Sequence, residues 1–210
     1  MQNNDKYHFF IGNIFSEENQ IRILKNIQKK LKKKYGLKNY HFNTQFFSNM
    51  IYLGYFNTYT ANLYMDKIIS FLLDKVSNKF NELNCNYTKY KLDYDKSFYK
   101  ISLKFTDDNN DLEKIIIPYL HKEGILPIYE RKINIEKPSI DLIYFKHSNI
   151  LKDKKDIDKI KIQVPTDQFK IDHISLIKGV TTRVRSGTPS THDQMDLSEV
   201  SRYNYPLKKI

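Results

Sequence analysis

The sequence contains a single cysteine, Cys85, no tryptophan, and no apolar run as long as a membrane-spanning helix. One cysteine excludes a disulfide framework within the chain, and no apolar signal segment follows Met1. We therefore expect a reducing, cytoplasmic setting without a membrane, and we predict no bound metal or cofactor. The 16 Tyr and 13 Phe residues supply bulk for a core, so the composition is not that of a disordered tail.

Length and charge narrow the function classes further. The 210 residues fit one domain, and 35 Lys+Arg against 24 Asp+Glu give a net charge of +11. Clustered cations attract nucleic acid, but the densest lysine run, 29–34, falls at the end of a predicted helix, where cations complement the helix dipole. A solvated basic face is the favoured interpretation, and a nucleic-acid site remains the alternative.

The first half of the chain alternates strand and helix patterns. Tyr7–Phe15 and the apolar stretch Phe46–Tyr55 are predicted strands. Ser16 is predicted to cap a helix that ends at Gly36 and whose apolar stripe is Ile21, Leu24, Ile27 and Leu31. A second amphipathic helix is predicted over Ala61–Phe80.

The second half repeats this order. Its predicted helix opens at Asp111, runs towards Gly124 and is kinked or split by Pro118. The repeat predicts an α+β fold of two similar lobes, each with an antiparallel sheet and flanking helices, packed as one domain over residues 1–210. Residues 181–196, rich in Ser, Thr, Gly and Pro, are predicted to form an exposed loop. The predicted strands are Phe98–Phe105, Ser139–Phe145, Ile160–Val164, Phe169–Ile177 and Tyr203–Leu207.

Two histidines are candidates for acid–base chemistry. His173 and Ser175 stand two residues apart on a predicted strand, so they share a face, as a phosphate-binding His-x-Ser pair requires. His41 fails this spacing test, because the hydroxyl residue Thr44 follows three positions later. We expect a structural imidazole at the strand surface for His173 and a loop or strand-edge position for His41.

Short stretches in the second half resemble a known family. Their order and spacing resemble the second lobe of the two-histidine phosphoesterase superfamily (LigT-like), and within it the nucleotide-binding central domain of A-kinase anchoring proteins (AKAPs). The resemblance covers Tyr7 to Leu207 and implies two lobes facing each other across a central cleft. The stretches that carry it are Lys122–Leu126, Lys137–Ile143, Phe169–Leu176 and Tyr203–Leu207.

All four motif positions of the family are changed in this chain. The resemblance places the second His-x-Thr pair on Ser139 and Asp141, and the first on Phe47 and Asn49. Phe47 transfers no proton, and Asp141 puts negative charge where a phosphate would lie. The sequence therefore predicts a pseudoenzyme that acts as a binding or scaffold protein. Two alternatives stay open: a nucleotide- or RNA-binding domain without turnover, and an active cyclic phosphodiesterase using His41 and His173.

Two partners are expected for a scaffold of this kind. Arg183 and Arg185 precede Ser186 in the pattern of a basic-directed kinase site, whose phosphoserine a 14-3-3 protein reads with an arginine cluster. Thr188, followed by Pro189, is the competing phosphorylation site. The resemblance also implies anchoring of the regulatory subunit of protein kinase A, for which the helix Ala61–Phe80 offers an apolar stripe, although core packing is the favoured role of that stripe.

Overall fold

The architecture was examined in a computed structural model, which describes residues 6–71, 74, 83–84, 88–95, 98–105, 118–123, 139–165, 170–171, 173–185 and 191–204. Residues 118–122 form a short helix. The other elements, in chain order, are β1 (Lys6–Ile14), α1 (Glu18–Tyr35), β2 (Lys38–Phe42), β3 (Phe47–Asn57), α2 (Thr58–Phe71), β4 (Leu83–Asn84), β5 (Thr88–Asp95), β6 (Phe98–Phe105), β7 (Ser139–His147), a 3-10 helix (Lys154–Lys159), β8 (Lys170–Ile171), β9 (His173–Arg185) and β10 (Thr191–Asn204).

An eight-stranded antiparallel sheet organises the molecule. Seven strands follow the order β10-β9-β1-β3-β7-β6-β5, and β2 pairs with β7. The sheet has a terminal half (β1, β3, β9, β10) and a central half (β2, β5, β6, β7), joined between β3 and β7 by the register pairs Ser48–Ile140 and Asn49–Ser139. The α+β class with antiparallel strands and flanking helices is confirmed. The two halves are not successive parts of the chain, however, because β9 and β10 return to the side of β1.

Helix α1 forms largely as its apolar spacing predicts. Leu24, Ile27 and Leu31 are buried against the sheet, and burying each side chain is worth about 1.5–3 kcal/mol. Gly36 ends the helix at φ 56°, ψ 45°, a left-handed conformation that glycine adopts without strain, and its N–H donates to the Lys32 carbonyl. The predicted Ser16 cap is wrong, since Glu17 occupies the N-cap position and makes no side-chain cap hydrogen bond.

Helix α2 contributes its apolar stripe to the main core. Ile68 and Phe71 are 4% and 7% exposed. The Phe71 ring stacks on Tyr119 of the short helix 118–122, with ring centroids 3.7 Å apart. Of its predicted continuation beyond residue 71, only Asp74 is described. The start of the predicted helix at Asp111 and Cys85 fall outside the described residues. Within the described part of the chain, no helix combines the length and apolarity needed to cross a membrane.

Two predicted segments differ from the structure because the pairing of strands depends on distant residues. Ile160–Val164 alternates like a strand, yet it pairs with no strand in the described chain, and the Lys161 N–H instead donates to the Tyr35 hydroxyl. The predicted loop 181–196 is mostly strand, with Thr191 opposite Arg185 and Asp196 opposite Val180. Among described residues, β1 pairs with β9 only from Ser175 to Gly179, so 180–185 and 191–196 form a two-stranded arm.

The 3-10 helix contains a carboxylate whose charge holds local structure. Asp156 accepts hydrogen bonds from the backbone N–H groups of Lys152 (2.6 Å) and Asp153 (3.0 Å), and it pairs with Lys159. The Lys159 contact and these N–H groups lower the pKa of Asp156 from 3.8 to about 2. Ionised Asp156 therefore favours the folded state above its unfolded pKa, and this contribution is lost as the pH falls towards 2.

We expect Asp156→Asn to lower the free energy of unfolding at pH 7 and to have little effect near pH 2, where Asp156 of the parent becomes protonated. Denaturant unfolding of both proteins across this range measures the difference. Asp158→Asn, an exposed change in the same helix, is the control and should leave the pH dependence unaltered. A destabilisation by Asp156→Asn that stays constant down to pH 2 would contradict this role.

Candidate functional site

The junction of the two sheet halves brings predicted site positions together. Asn49 of β3 lies directly opposite Ser139 of β7, and on its other side it pairs with Gly12 of β1. Directly opposed residues of antiparallel strands point to the same face, and side chains alternate along each strand. Phe47, two positions before this register pair, therefore shares with Ser139 and Asp141 the face of the sheet on which the cleft is expected.

Phe47 belongs to a small apolar cluster on this face. Its ring meets Phe10 edge-on, with centroids 5.6 Å apart and an interplanar angle of 64°. Ile177 and Leu197 are buried in the same cluster, and Ile14 packs against it. The position that the resemblance assigns to a catalytic histidine thus carries a ring that packs and that transfers no proton.

Gln45 connects the outermost strand of the terminal half to this cluster. Its side-chain carbonyl accepts from the Leu197 N–H at 2.7 Å, and its amide donates to the Leu197 carbonyl at 3.2 Å. These are the groups that a neighbouring strand would otherwise bond. Since β9 and β1 separate β10 from β3 in the sheet, the contact holds β10 curved over the face that carries Phe47. The cluster around Phe47 therefore combines side chains of β1, β9 and β10, and Gln45 fixes β10 beside it.

Asp141 in the central half is held by three donors. The Ser102 hydroxyl donates at 2.7 Å, the Tyr144 hydroxyl at 2.8 Å, and the Lys100 ammonium at 3.2 Å. A bulge makes this possible, because β6 pairs Ser102 with Asp141 but Ile101 with Ile143, which brings Asp141 and Tyr144 to the same face. The carboxylate neutralises Lys100, a cation that could otherwise meet a phosphate.

The structure places His41 in the central half, within an aromatic group. His41 lies in β2 opposite Tyr144, and the two rings stack with centroids 4.7 Å apart and an interplanar angle of 9°. Phe98 approaches the imidazole edge-on at 5.6 Å. Beyond His41 the chain stays fixed to β7, where the Asn43 amide donates to the Asp141 carbonyl at 2.9 Å.

His173 lies in the terminal half and is buried, not at the strand surface as expected. It is 4% exposed, its Nε2 lies 2.8 Å from the Asn13 amide nitrogen, and the same Nε2 lies 3.3 Å from a Glu199 carboxylate oxygen. Ser175, on the same face of β9, donates to that oxygen at 2.6 Å. The His-x-Ser pair therefore binds a carboxylate of the neighbouring strand, and it belongs to a different sheet half from His41.

The phosphorylation motif is only partly described. Arg183 and Arg185 lie in the last residues of β9, within the arm, with Asp193 and Thr191 opposite them in register. Ser186 and Thr188 lie outside the described residues. Within the described part of the chain, no group of three or more His, Cys, Asp or Glu residues is placed to hold a metal ion.

Comparison with known proteins identifies the class of fold. No family model and no curated protein sequence matches the chain. Among solved structures, E. coli LigT in apo form is similar over 96% of this chain and 98% of LigT, with a TM-score of 0.56 and 11% identity. E. coli LigT complexed with NADP+ covers the same shares with a TM-score of 0.50 and 9% identity. The protein therefore has the LigT fold, that of the two-histidine phosphoesterases, as its sequence led us to expect.

Three features of the site could not be anticipated from the sequence. The hydrogen bond from Ser102 to Asp141, the stack of His41 on Tyr144 and the bridge from Gln45 to Leu197 all join residues far apart in the chain. The local signal is that Ser102, Asp141 and Tyr144 each stand between two core residues on predicted strands. Strand pairing with its bulge decides where those polar groups meet.

Proposed function

We propose that this protein is a catalytically inactive, phosphoesterase-fold scaffold of AKAP-like signalling that binds a 14-3-3 protein through phosphorylated Ser186. The observation that carries the inactivity is the chemistry of the cleft face. Phe47 is packed against Phe10, and Asp141 is bonded to three donors, so neither position offers an acid, a base or a phosphate-binding hydroxyl.

The proposed partner rests on the arginines before Ser186. A phosphoserine carries about −1.5 to −2 charges and three acceptor oxygens, which arginines of a partner bind with charge-assisted hydrogen bonds. Arg183 and Arg185 serve the kinase step, and their place at the end of a two-stranded arm beyond β1 favours access by a second protein. The direct test is a pull-down of the whole chain by 14-3-3 before and after treatment with a basic-directed kinase. Capture only after treatment supports the proposal, and equal capture contradicts it.

This proposal includes anchoring of the protein kinase A regulatory subunit. An anchoring helix inserts its apolar stripe into the partner's groove. In α2 that stripe includes Ile68 and Phe71, both buried in the main core. Anchoring would therefore use a surface other than this stripe.

A nucleotide-binding role is the second candidate, favoured by the aromatic group on the central half. The stacked rings of His41 and Tyr144 lie beside Phe98, and the Lys146 ammonium lies 5.0 Å from the centroid of Phe98. Aromatic faces next to lysines are the usual means of holding bases and phosphates. That E. coli LigT was crystallised with NADP+ adds weight to this candidate.

Titration with adenosine and cytidine monophosphate separates the two candidates. We expect no saturable binding at millimolar nucleotide, because Lys100 is paired with Asp141 and His41 is covered by Tyr144. Saturable binding that Tyr144→Ala abolishes, and that the exposed-site control Tyr94→Ala leaves intact, would favour the nucleotide-binding role instead.

A further inference from the structure

A cavity of about 1500 Å³ lies outside the cleft, between the end of α1, strand β5 and the segment that follows the 3-10 helix. Five lysines line it: Lys30, Lys33 and Lys34 from α1, Lys89 from β5, and Lys161 from the segment. Asp158 is the one acidic residue among the described lining residues, so the five positive charges less one negative charge leave +4.

Among the described residues, no carboxylate neutralises most of these lysines. Lys34 has a structural role, since its ammonium donates to the Lys161 carbonyl at 2.9 Å. Lys30, Lys33, Lys89 and Lys161 are exposed, and within the described chain none of them lies in an ion pair. Attraction to the carbonyl end of α1 accounts for cations in its last turns. It does not account for Lys89 and Lys161, which reach the same cavity from two other elements.

The rest of the lining indicates the kind of anion that would fit. Ile157, Ile162 and Val164 form an aliphatic wall packed against the main core. Tyr90 is the one aromatic residue among the described lining residues, and its ring is 8% exposed, which leaves little surface on which a base could stack. The base of a nucleotide would therefore contribute little to binding in this cavity. Several lysines spread over three elements instead suit an anion whose charges are themselves spread around a compact body.

Tyr90 lines the cavity and also belongs to the main core. Its hydroxyl is buried and has no hydrogen-bond partner among the residues that the structure describes. Burial, followed by the proximity of Tyr35, raises the pKa of Tyr90, so the group stays a neutral donor. A buried polar group without a partner is rare in folded proteins and costs free energy. Because the hydroxyl is fully buried, Tyr90 is part of the cavity wall, and the exposed lysines carry the charge that a ligand would meet.

We propose that this cavity binds a small soluble anion that carries several phosphate groups, of the inositol polyphosphate class. The ammonium groups of Lys30, Lys33, Lys89 and Lys161 contact separate phosphates, as lysine does in many phosphate sites. The site lies apart from the cleft and does not involve Ser186, so it stands whether or not the proposed function is correct.

Calorimetric titration of the full chain with inositol hexakisphosphate tests this site. The buffer contains 0.15 M salt, where charges further apart than about 8 Å are largely screened. The cavity variant is Lys30→Gln/Lys33→Gln. The matched control is Lys25→Gln/Lys29→Gln, which removes the same charge from exposed positions of the same helix that do not line the cavity. Lys89→Gln tests the contribution of β5.

We expect one saturable site per chain. Its affinity should fall at least ~10-fold in the cavity variant, fall measurably in Lys89→Gln, and stay within about twofold in the control. Absence of saturable binding overturns the proposal. Equal losses in the cavity variant and the control also overturn it, because they indicate attraction to the whole basic surface. Tighter binding of adenosine triphosphate than of inositol hexakisphosphate overturns the assigned ligand class.

Discussion

Purified protein is expected to leave the cyclic phosphate ends of RNA intact under conditions in which a phosphoesterase with both His-x-Thr pairs hydrolyses them completely. Each positioned acid or base contributes roughly 10²–10⁴-fold to such a reaction, so loss of both corresponds to roughly 10⁴–10⁸-fold. Phe47 and Ser139 occupy the two imidazole positions that the resemblance assigns. A discontinuous assay of product ends over hours measures this range. Turnover that disappears in His173→Ala would contradict the prediction and favour the alternative in which His173 is catalytic.

Restoring the motif tests whether the cleft is also closed. The variant Phe47→His/Asn49→Thr/Ser139→His/Asp141→Thr carries both family pairs. We expect it to stay inactive, because an imidazole at position 47 would lie among Phe10, Ile177 and Leu197, under the strand that Gln45 holds. The matched control adds Gln45→Ala, which removes the bridge to β10. Activity in the four-site variant that keeps Gln45 would show that the cleft is open. It would leave the prediction of an inactive parent protein unaffected.

Binding to 14-3-3 is expected to depend entirely on the phosphate at Ser186. In peptides spanning the motif and phosphorylated chemically at Ser186, Arg183→Ala should bind nearly as well as the parent, because Arg183 serves the kinase step. Ser186→Ala carries no phosphate and should not bind. In the whole protein treated with kinase, both substitutions should abolish binding. Fluorescence anisotropy with labelled peptides and calorimetry with the protein measure these differences.

Thr188 provides the control for this prediction. Thr188→Ala in the whole protein should bind as the parent does after kinase treatment, since a proline after Thr188 suits a different class of kinase. Affinity that survives Ser186→Ala and disappears with Thr188→Ala would show that Thr188, and not Ser186, carries the phosphate that 14-3-3 binds. Affinity independent of phosphate would show that the arm binds as a basic surface.

The sequence predicts the elements that local patterns determine. The spacing of Leu24, Ile27 and Leu31 together with Gly36 defines α1, and the alternation in Phe98–Phe105 matches β6 at both ends. These predictions needed no knowledge of distant partners. The resemblance expects Asn49 and Ser139 to face each other across a cleft, and the structure pairs them in adjacent strands.

The predictions are wrong where contacts with residues distant in the sequence determine the local structure. Ser, Thr and Gly over 181–196 are typical of a loop, yet two long strands satisfy each other's backbone groups there, and Arg183 lies opposite Asp193. Strand β2 has no strong pattern of its own and forms on β7, with His41 against Tyr144. His173 looks like a surface residue on an alternating strand, but Asn13, 160 positions earlier, covers it. Such contacts leave no local signal in the sequence.

The return of β9 and β10 to the side of β1 has a consequence for how the chain is made. His8 finds its strand partner at Gly179, so a ribosome must synthesise most of the protein before β1 gains its second neighbour. The strands of the central half, by contrast, lie between β1 and β9 in the sequence, so all of them have been synthesised once β7 leaves the ribosome. Strands that are so far apart in the sequence pair slowly, and until they do the unpaired edge of β1 can aggregate. We therefore expect the nascent chain to expose one edge of β1 until β9 has been synthesised.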